Sequence, residues 1–112
     1  IIFKILIMNI ELKEAIIKNL KEVFDPEISV NVYDLGLIYN INIISESKVD
    51  IVMTLTSAFC PVAQDMPVWI KDAVLKVESI KDCNVEVTMD PPWGPDKMSE
   101  EAKLALGVEE NQ

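Results

Sequence analysis

Two stretches of this 112-residue chain alternate apolar and polar residues with a period of two, and only a short polar turn separates them. Tyr39, Ile41 and Ile43 alternate with Asn40 and Asn42. Beyond the turn Ser45–Lys48, Val49, Ile51, Met53 and Leu55 alternate with Asp50, Val52 and Thr54. Successive side chains of a strand point to opposite faces, so each stretch is a strand with one face to bury. So short a connection predicts an antiparallel hairpin over Leu37–Thr56. A third alternation, Val85, Val87 and Met89 against Glu86 and Thr88, predicts a strand at about Asn84–Met89. The prolines of DPPWGPD (Asp90–Asp96) end it, because proline cannot donate to a ladder.

Outside the strands the period changes to that of a helix. Leu12, Ile16, Leu20, Val23 and Phe24 recur at three and four, predicting a helix from Asn9, its N-cap, to Phe24. Asp25-Pro26 stops it, since the residue before a proline avoids helical geometry. Val62, Met66, Ile70, Ala73, Val74 and Val77 form a second apolar stripe, with Pro67 in or just after the first turn. Ser99 caps a short helix that begins with acidic residues and ends at Gly107. Each strand has one apolar and one mostly polar face, so the helices have one side of the sheet to cover. The expected fold is two-layer α+β: a small three-stranded mixed sheet with helices on one face. Residues 9–108 read as one domain and 109–112 as a tail. The apolar opening IIFKILI, within residues 1–8, reads either as preceding the domain or as an extra edge strand. It falls short of the roughly 20 residues needed to span a bilayer.

The composition excludes several classes of function. A formal net charge of −9 disfavours nucleic acid and anionic membranes, which are bound through clustered cations. Two cysteines and no signal-like segment suggest a cytoplasmic chain with reduced thiols. The chain has no histidine, so Ser-His and Cys-His pairs and imidazole metal sites are excluded. The glycines stand apart rather than forming a phosphate loop, and no Cys-x-x-Cys pair exists. A conventional enzyme is not expected.

What remains is Cys60 in LTSAFCPVAQDM, at the junction of strand and helix patterns. A thiol at a helix N-terminus is biased toward thiolate, the form that binds soft metals and iron–sulfur clusters. Thr54, Thr56 and Ser57, just upstream, could donate to the sulfur. The same position also suits a small cysteine filling a core corner. Cys83, at the entrance of a strand, reads as packing. Asp25, Glu27 and Asp34 lie in the stretch FDPEISVNVYDLGLIY, which reads as a loop with apolar anchors or as polar groups near the thiol. Trp93 either packs the exit of the proline-rich turn or, if exposed, anchors a partner.

Taken together, DPEI, DLGLIY, MTLTSAFCP and VEVTMDPPWGPDKMSEEAKLALG change this balance. In this order and at these intervals they resemble the metal–sulfur cluster biosynthesis family of SufT and PaaD, also called domain of unknown function 59. The resemblance runs from about Leu12 to Gly107. It implies a small domain akin to iron–sulfur cluster assembly domains, often dimeric, that acts in the maturation of iron–sulfur proteins. It makes Cys60 the functional residue and maps the family's acidic turn onto Asp25 and Glu27. The Asp-Leu-Gly motif falls on Asp34 to Gly36, and the family's threonines on Thr54 and Thr56. This chain departs from the pattern at Phe59, where many members carry a small residue, and Cys83 matches no family motif.

The resulting expectation is a maturation factor without turnover that helps deliver clusters to apo-proteins through Cys60. Its cofactor would be at most a transient iron–sulfur cluster. One thiol cannot complete a cubane cluster, so further ligands would come from a second copy, another protein or a small thiol. The implied partners are the iron–sulfur assembly machinery, apo iron–sulfur proteins and a second copy in a homodimer. Two alternatives stay open: an adaptor that docks targets without touching iron, and PaaD-like service to one oxygenase. A peroxide-reactive thiol is disfavoured, because no cation lies near Cys60 in sequence to lower its pKa. Asp25, Glu27 and Thr56 are expected to lie around Cys60.

Overall fold

The computed structural model describes residues 2–25, 30–56 and 65–107. In chain order these form α1 (Ile2–Leu20), β1 (Ile38–Ser45), β2 (Lys48–Met53), α2 (Met66–Leu75) and β3 (Asp82–Val87). A single turn of 3-10 helix (Pro95–Lys97) and α3 (Glu100–Leu106) follow.

The hairpin is tighter than the sequence suggests. Ser45 pairs with Lys48, so only Glu46 and Ser47 lie in the turn, and Ser45 Oγ accepts the Ser47 N–H at 3.3 Å. The three strands lie in the order β1-β2-β3, with β1 antiparallel and β3 parallel to β2. A parallel neighbour requires a crossover, and α2 supplies it. Register decides which face is buried. Ile41, Ile51 and Val85 stand in one row, and Ile43, Val49 and Cys83 in the next. These rows lie under α1 and α2, which pack against each other as well. The intervening rows, Asn42-Asp50-Asn84 and Asn40-Val52-Glu86, form the other face, where Asn40, Asn42, Asn84 and Glu86 are exposed. The two-layer α+β fold with a mixed sheet and one covered face is therefore as expected.

The second hairpin strand stops at Met53 rather than Thr56, and the bounds of α1 and β3 differ in three further ways. First, α1 does not begin at Asn9. It runs back to Ile2, so the opening residues are helix rather than an edge strand. No proline or glycine interrupts them, and extending an existing helix costs little compared with nucleating one. Asn9 therefore has no capping role. Only the second half of this helix packs: Leu12, Ile16 and Leu20 are buried, whereas Ile2 to Met8 are exposed. Second, the helix ends at Leu20, not Phe24. The N–H groups of Glu22 and Val23 turn to Asn19 and Leu20 carbonyls, both at 3.1 Å. Phe24 then forms an isolated antiparallel bridge with Asn31 and lies exposed. Third, β3 starts and ends two residues early. The Thr88 hydroxyl accepts the Asp90 N–H at 3.2 Å and turns the chain away.

The later helices follow the sequence closely. Pro67 is the second residue of α2, where its missing N–H costs nothing. Ser99 Oγ accepts the Ala102 N–H at 3.1 Å, and Gly107 closes α3 with a left-handed φ of 73°.

Candidate functional site

Four sequence-distant segments meet at the end of the sheet where β2 and β3 finish and β1 begins. Backbone hydrogen bonds tie them in sequence. Thr54 donates to Leu37 O at 2.8 Å, Leu37 to Val32 O at 3.1 Å, and Val32 to Val23 O at 2.8 Å. Beside this line Asp25 donates to Val30 O at 3.1 Å, and Thr88 donates to Met53 O at 2.8 Å. Asp25, the Asp-Leu-Gly segment, the strand exit at Thr54 and the start of the proline-rich stretch thus share one end of the domain. The described chain stops at Thr56, at this end, and resumes at Asp65, before the buried Met66 of α2.

Of the expected site residues, Cys60, Glu27 and Ser57 lie outside the described residues. Asp25 is there and buried, a carboxyl held within the fold rather than displayed on it. Thr54 is fully buried, and its hydroxyl is directed at Met89 Sδ, 3.9 Å away. Thr56 is half-buried at the strand exit. Among the described residues no three Asp, Glu or Cys side chains converge as a metal site would require.

Asp34 works within the fold. Its carboxylate accepts the Asn31 side-chain amide at 2.7 Å, and its N–H donates to Asn31 Oδ1 at 2.9 Å. Its carbonyl accepts the Ser99 N–H at 2.7 Å. Leu35 O accepts the Trp93 indole N–H at 2.7 Å. Gly36 has a φ of 82°, and a Cβ there would run into the Lys97 carbonyl group. Glycine is needed at Gly36 both for the positive φ and for the close approach. The Tyr39 hydroxyl donates to Pro91 O at 2.8 Å, and Lys97 Nζ lies 5.3 Å from the Tyr39 ring centroid. The Asp-Leu-Gly turn is therefore the seat on which residues 91–99 are strapped down. Trp93 belongs to that strap. It is half-buried against the core and so does not stand out as the exposed anchor considered from sequence.

Cys83 is far from this cluster. It pairs with Val49, near the Ser45–Lys48 turn at the opposite end of the sheet, and is buried. Burial pushes its thiol up to about 11. Asp50 and Asp82 add to the rise, while Lys71 opposes it. Such a thiol stays protonated at neutral pH and is a poor ligand and nucleophile.

Sequence reasoning missed a second feature, between the end of α1 and α2. A groove of about 340 Å³ is lined by Val23, Phe24, Trp69 and Ala73, with Asn19, Glu22, Asp72 and Lys76 around them. The signal was weak: Trp69 falls three residues after Met66 and four before Ala73, at the edge of the apolar stripe, so its spacing alone does not separate it from the core. A large aromatic at that edge marks a surface of interest once the fold leaves it exposed.

Comparison with known proteins is consistent with the motifs. Residues 13–87 match the family described as iron–sulfur cluster assembly protein. An Fe-S protein maturation auxiliary factor of Porphyromonas gingivalis is 46% identical over 101 residues, covering 88% of this chain and 93% of the relative. The Fe-S protein maturation auxiliary factor SufT of Staphylococcus aureus is 38% identical over 86 residues, covering 77% and 98%. The crystal structure of a domain of unknown function DUF59 from Bacillus anthracis superposes with a TM-score of 0.81 at 33% identity. That match covers 88% of this chain and 94% of the other.

Proposed function

Because this chain belongs to the iron–sulfur cluster assembly protein family, we propose that it acts in the maturation of iron–sulfur proteins. Cys60 is the point through which a cluster or a target is handed on, and the protein performs no turnover of its own. The carrying observation is the meeting of the Asp25, Asp34, Thr54 and Thr88 segments at one end of the sheet, the end from which the chain departs toward Cys60. The cluster is cargo. Cys60 supplies one ligand, and the remaining ligands come from a second copy, from another assembly protein or from a small thiol. The acidic turn and strand-exit threonines shape the surroundings of that thiol, and the strap over the Asp34–Gly36 turn holds them in register. No helix among the described residues is long and apolar enough to cross a membrane, and we place the protein in the cytoplasm with the assembly machinery.

The test is Cys60→Ser, with Cys83→Ser as its control. Cys60→Ser should cost about 1 kcal/mol of stability, typical of a single substitution, while abolishing support of iron–sulfur enzymes in cells lacking the native protein. Cys83→Ser should destabilise at least as much yet retain that support. Anaerobic reconstitution with iron and sulfide, followed by absorption, reads whether Cys60 holds the cluster itself. Full rescue by Cys60→Ser at normal expression would leave an adaptor that never touches iron.

A further inference from the structure

We propose that the groove between the end of α1 and α2 docks an arginine-bearing apolar segment of another protein. The groove is built rather than incidental. Asn19 Nδ2 donates to Ala73 O at 3.0 Å, tying the last turn of α1 to α2 and fixing the separation of the walls. Ala73 provides a small floor. Phe24 and Trp69 line the groove at 54% and 37% exposure. Two large rings left partly in water beside a preformed concavity are the usual anatomy of an interface centre.

The charges around the rings specify the occupant. Glu22 and Asp72 line the same groove, and neither forms an ion pair among the described residues. Among the described residues Lys76 is the one cation lining it. An indole sharing a groove with two carboxylates that have no ion-pair partner among the described residues suits a guanidinium, which stacks on the ring and forks its N–H groups onto carboxylate oxygens. Apolar residues flanking the arginine would cover Phe24 and Val23.

A second copy fits poorly. The chain contains no arginine, and a symmetric contact over this groove would bring two copies each of Glu22 and Asp72 into one interface with only two copies of Lys76 to offset them. The net charge of −9 draws a basic partner in the same direction. The inference does not depend on the role of Cys60, and its test does not read maturation.

The test uses the full chain and a helix-forming peptide of leucine and alanine carrying two arginines four residues apart. A matched peptide has glutamates at the same places. Titration followed by amide and indole NMR resonances should move Asn19–Phe24 and Trp69–Lys76, with the Trp69 indole shifting and that of Trp93 still. Glu22→Gln with Asp72→Asn, and separately Trp69→Ala, should each weaken binding at least about tenfold. Asp82→Asn with Glu86→Gln removes the same charge away from the groove and should leave affinity unchanged. Thermal melts verify that each variant is folded. Equal loss in both neutralised variants would reduce the effect to bulk charge attraction and overturn the proposal. So would equal binding of the glutamate peptide, or no binding at millimolar peptide. Sedimentation showing a dimer that Trp69→Ala dissolves would assign the groove to a second copy instead.

Discussion

Trp93 sits in the strap over the Asp34–Gly36 turn with its indole N–H given to Leu35 O, whereas Trp69 stands on α2 beside an open groove. Both residues occupy segments that carry prolines, and both are large enough to dominate whatever surface they join. What separates them is the fate of their edges. The polar edge of Trp93 is satisfied by backbone and its rings lie against the core, so its free energy goes into holding the domain's own segments together. Trp69 has 37% of its surface still in water, which leaves burial energy to be gained only with something outside the chain. An aromatic residue is thus structural or interactive according to what its own fold has already engaged.

The strap can be broken most severely through Gly36. Gly36→Ala places a Cβ in the Lys97 carbonyl and keeps a positive φ that side chains avoid. The expected loss is about 3 kcal/mol, from strain added to the displacement of the strap. Chemical denaturation of the variant measures it. A loss below about 1 kcal/mol would mean that the Pro95–Lys97 turn moves away freely and the strap is not fixed.

The tryptophans themselves give the direct contrast. Trp93→Ala should cost about 2 kcal/mol, less than a fully buried ring because Trp93 is half-buried, and it also leaves Leu35 O without its donor. Trp69→Ala should cost only about 0.5 kcal/mol, as befits an exposed side chain at the edge of the packed stripe. Equal losses would erase the distinction, and a larger loss at Trp69 would reverse it.

Much of this arrangement was legible in the residues. Period-two alternation located all three strands, because register along a strand is set by which side chains must be buried. The hydroxyl of Ser99 and the glycine at 107 marked α3 because capping is a local matter, settled within a few residues. The start of α1 was not legible in that way. Asn9 is a competent cap, but whether a helix uses it depends on whether the chain before it does anything else, and nothing in Ile2–Met8 opposes helix. The role of Asp34 was also hidden. Its partners Asn31 and Ser99 lie on both sides of it in sequence, one near and one far, and only the folded strap brings the second within reach. Phe24 fitted a helical spacing that the tightened final turn of α1 does not continue. The convergence of the Thr54 and Thr88 segments follows from strand pairing, so once the sheet order is known their shared end follows too. Asp25 joins them through loop hydrogen bonds, Asp25 N–H to Val30 O and Val32 N–H to Val23 O, which no strand pattern reveals.

Cys83 extends the same contrast to the thiol that the fold has already engaged. It is buried beneath the helices beside Val49, and its thiol is raised from an ordinary 9.0 to about 11, chiefly by burial. An acid whose pKa is higher in the folded state holds more protons there than in the unfolded state between those two values. Stability therefore falls with pH across that window. The contribution is complete below about pH 9 and is lost as pH rises through about 11. Replacing the thiol removes this dependence together with the packing of a buried sulfur, so Cys83→Ala should cost about 1 kcal/mol at pH 8 and show a smaller loss between pH 8 and pH 10.5 than the native chain. Urea melts at the two pH values measure the difference, in which lysine titration and Cys60 cancel because both proteins share them. The native Cys83 should also resist a disulfide reagent at pH 8 until the protein is unfolded. Rapid reaction in the folded state, or identical pH slopes for the two proteins, would show that Cys83 is an available group and not one consumed by packing.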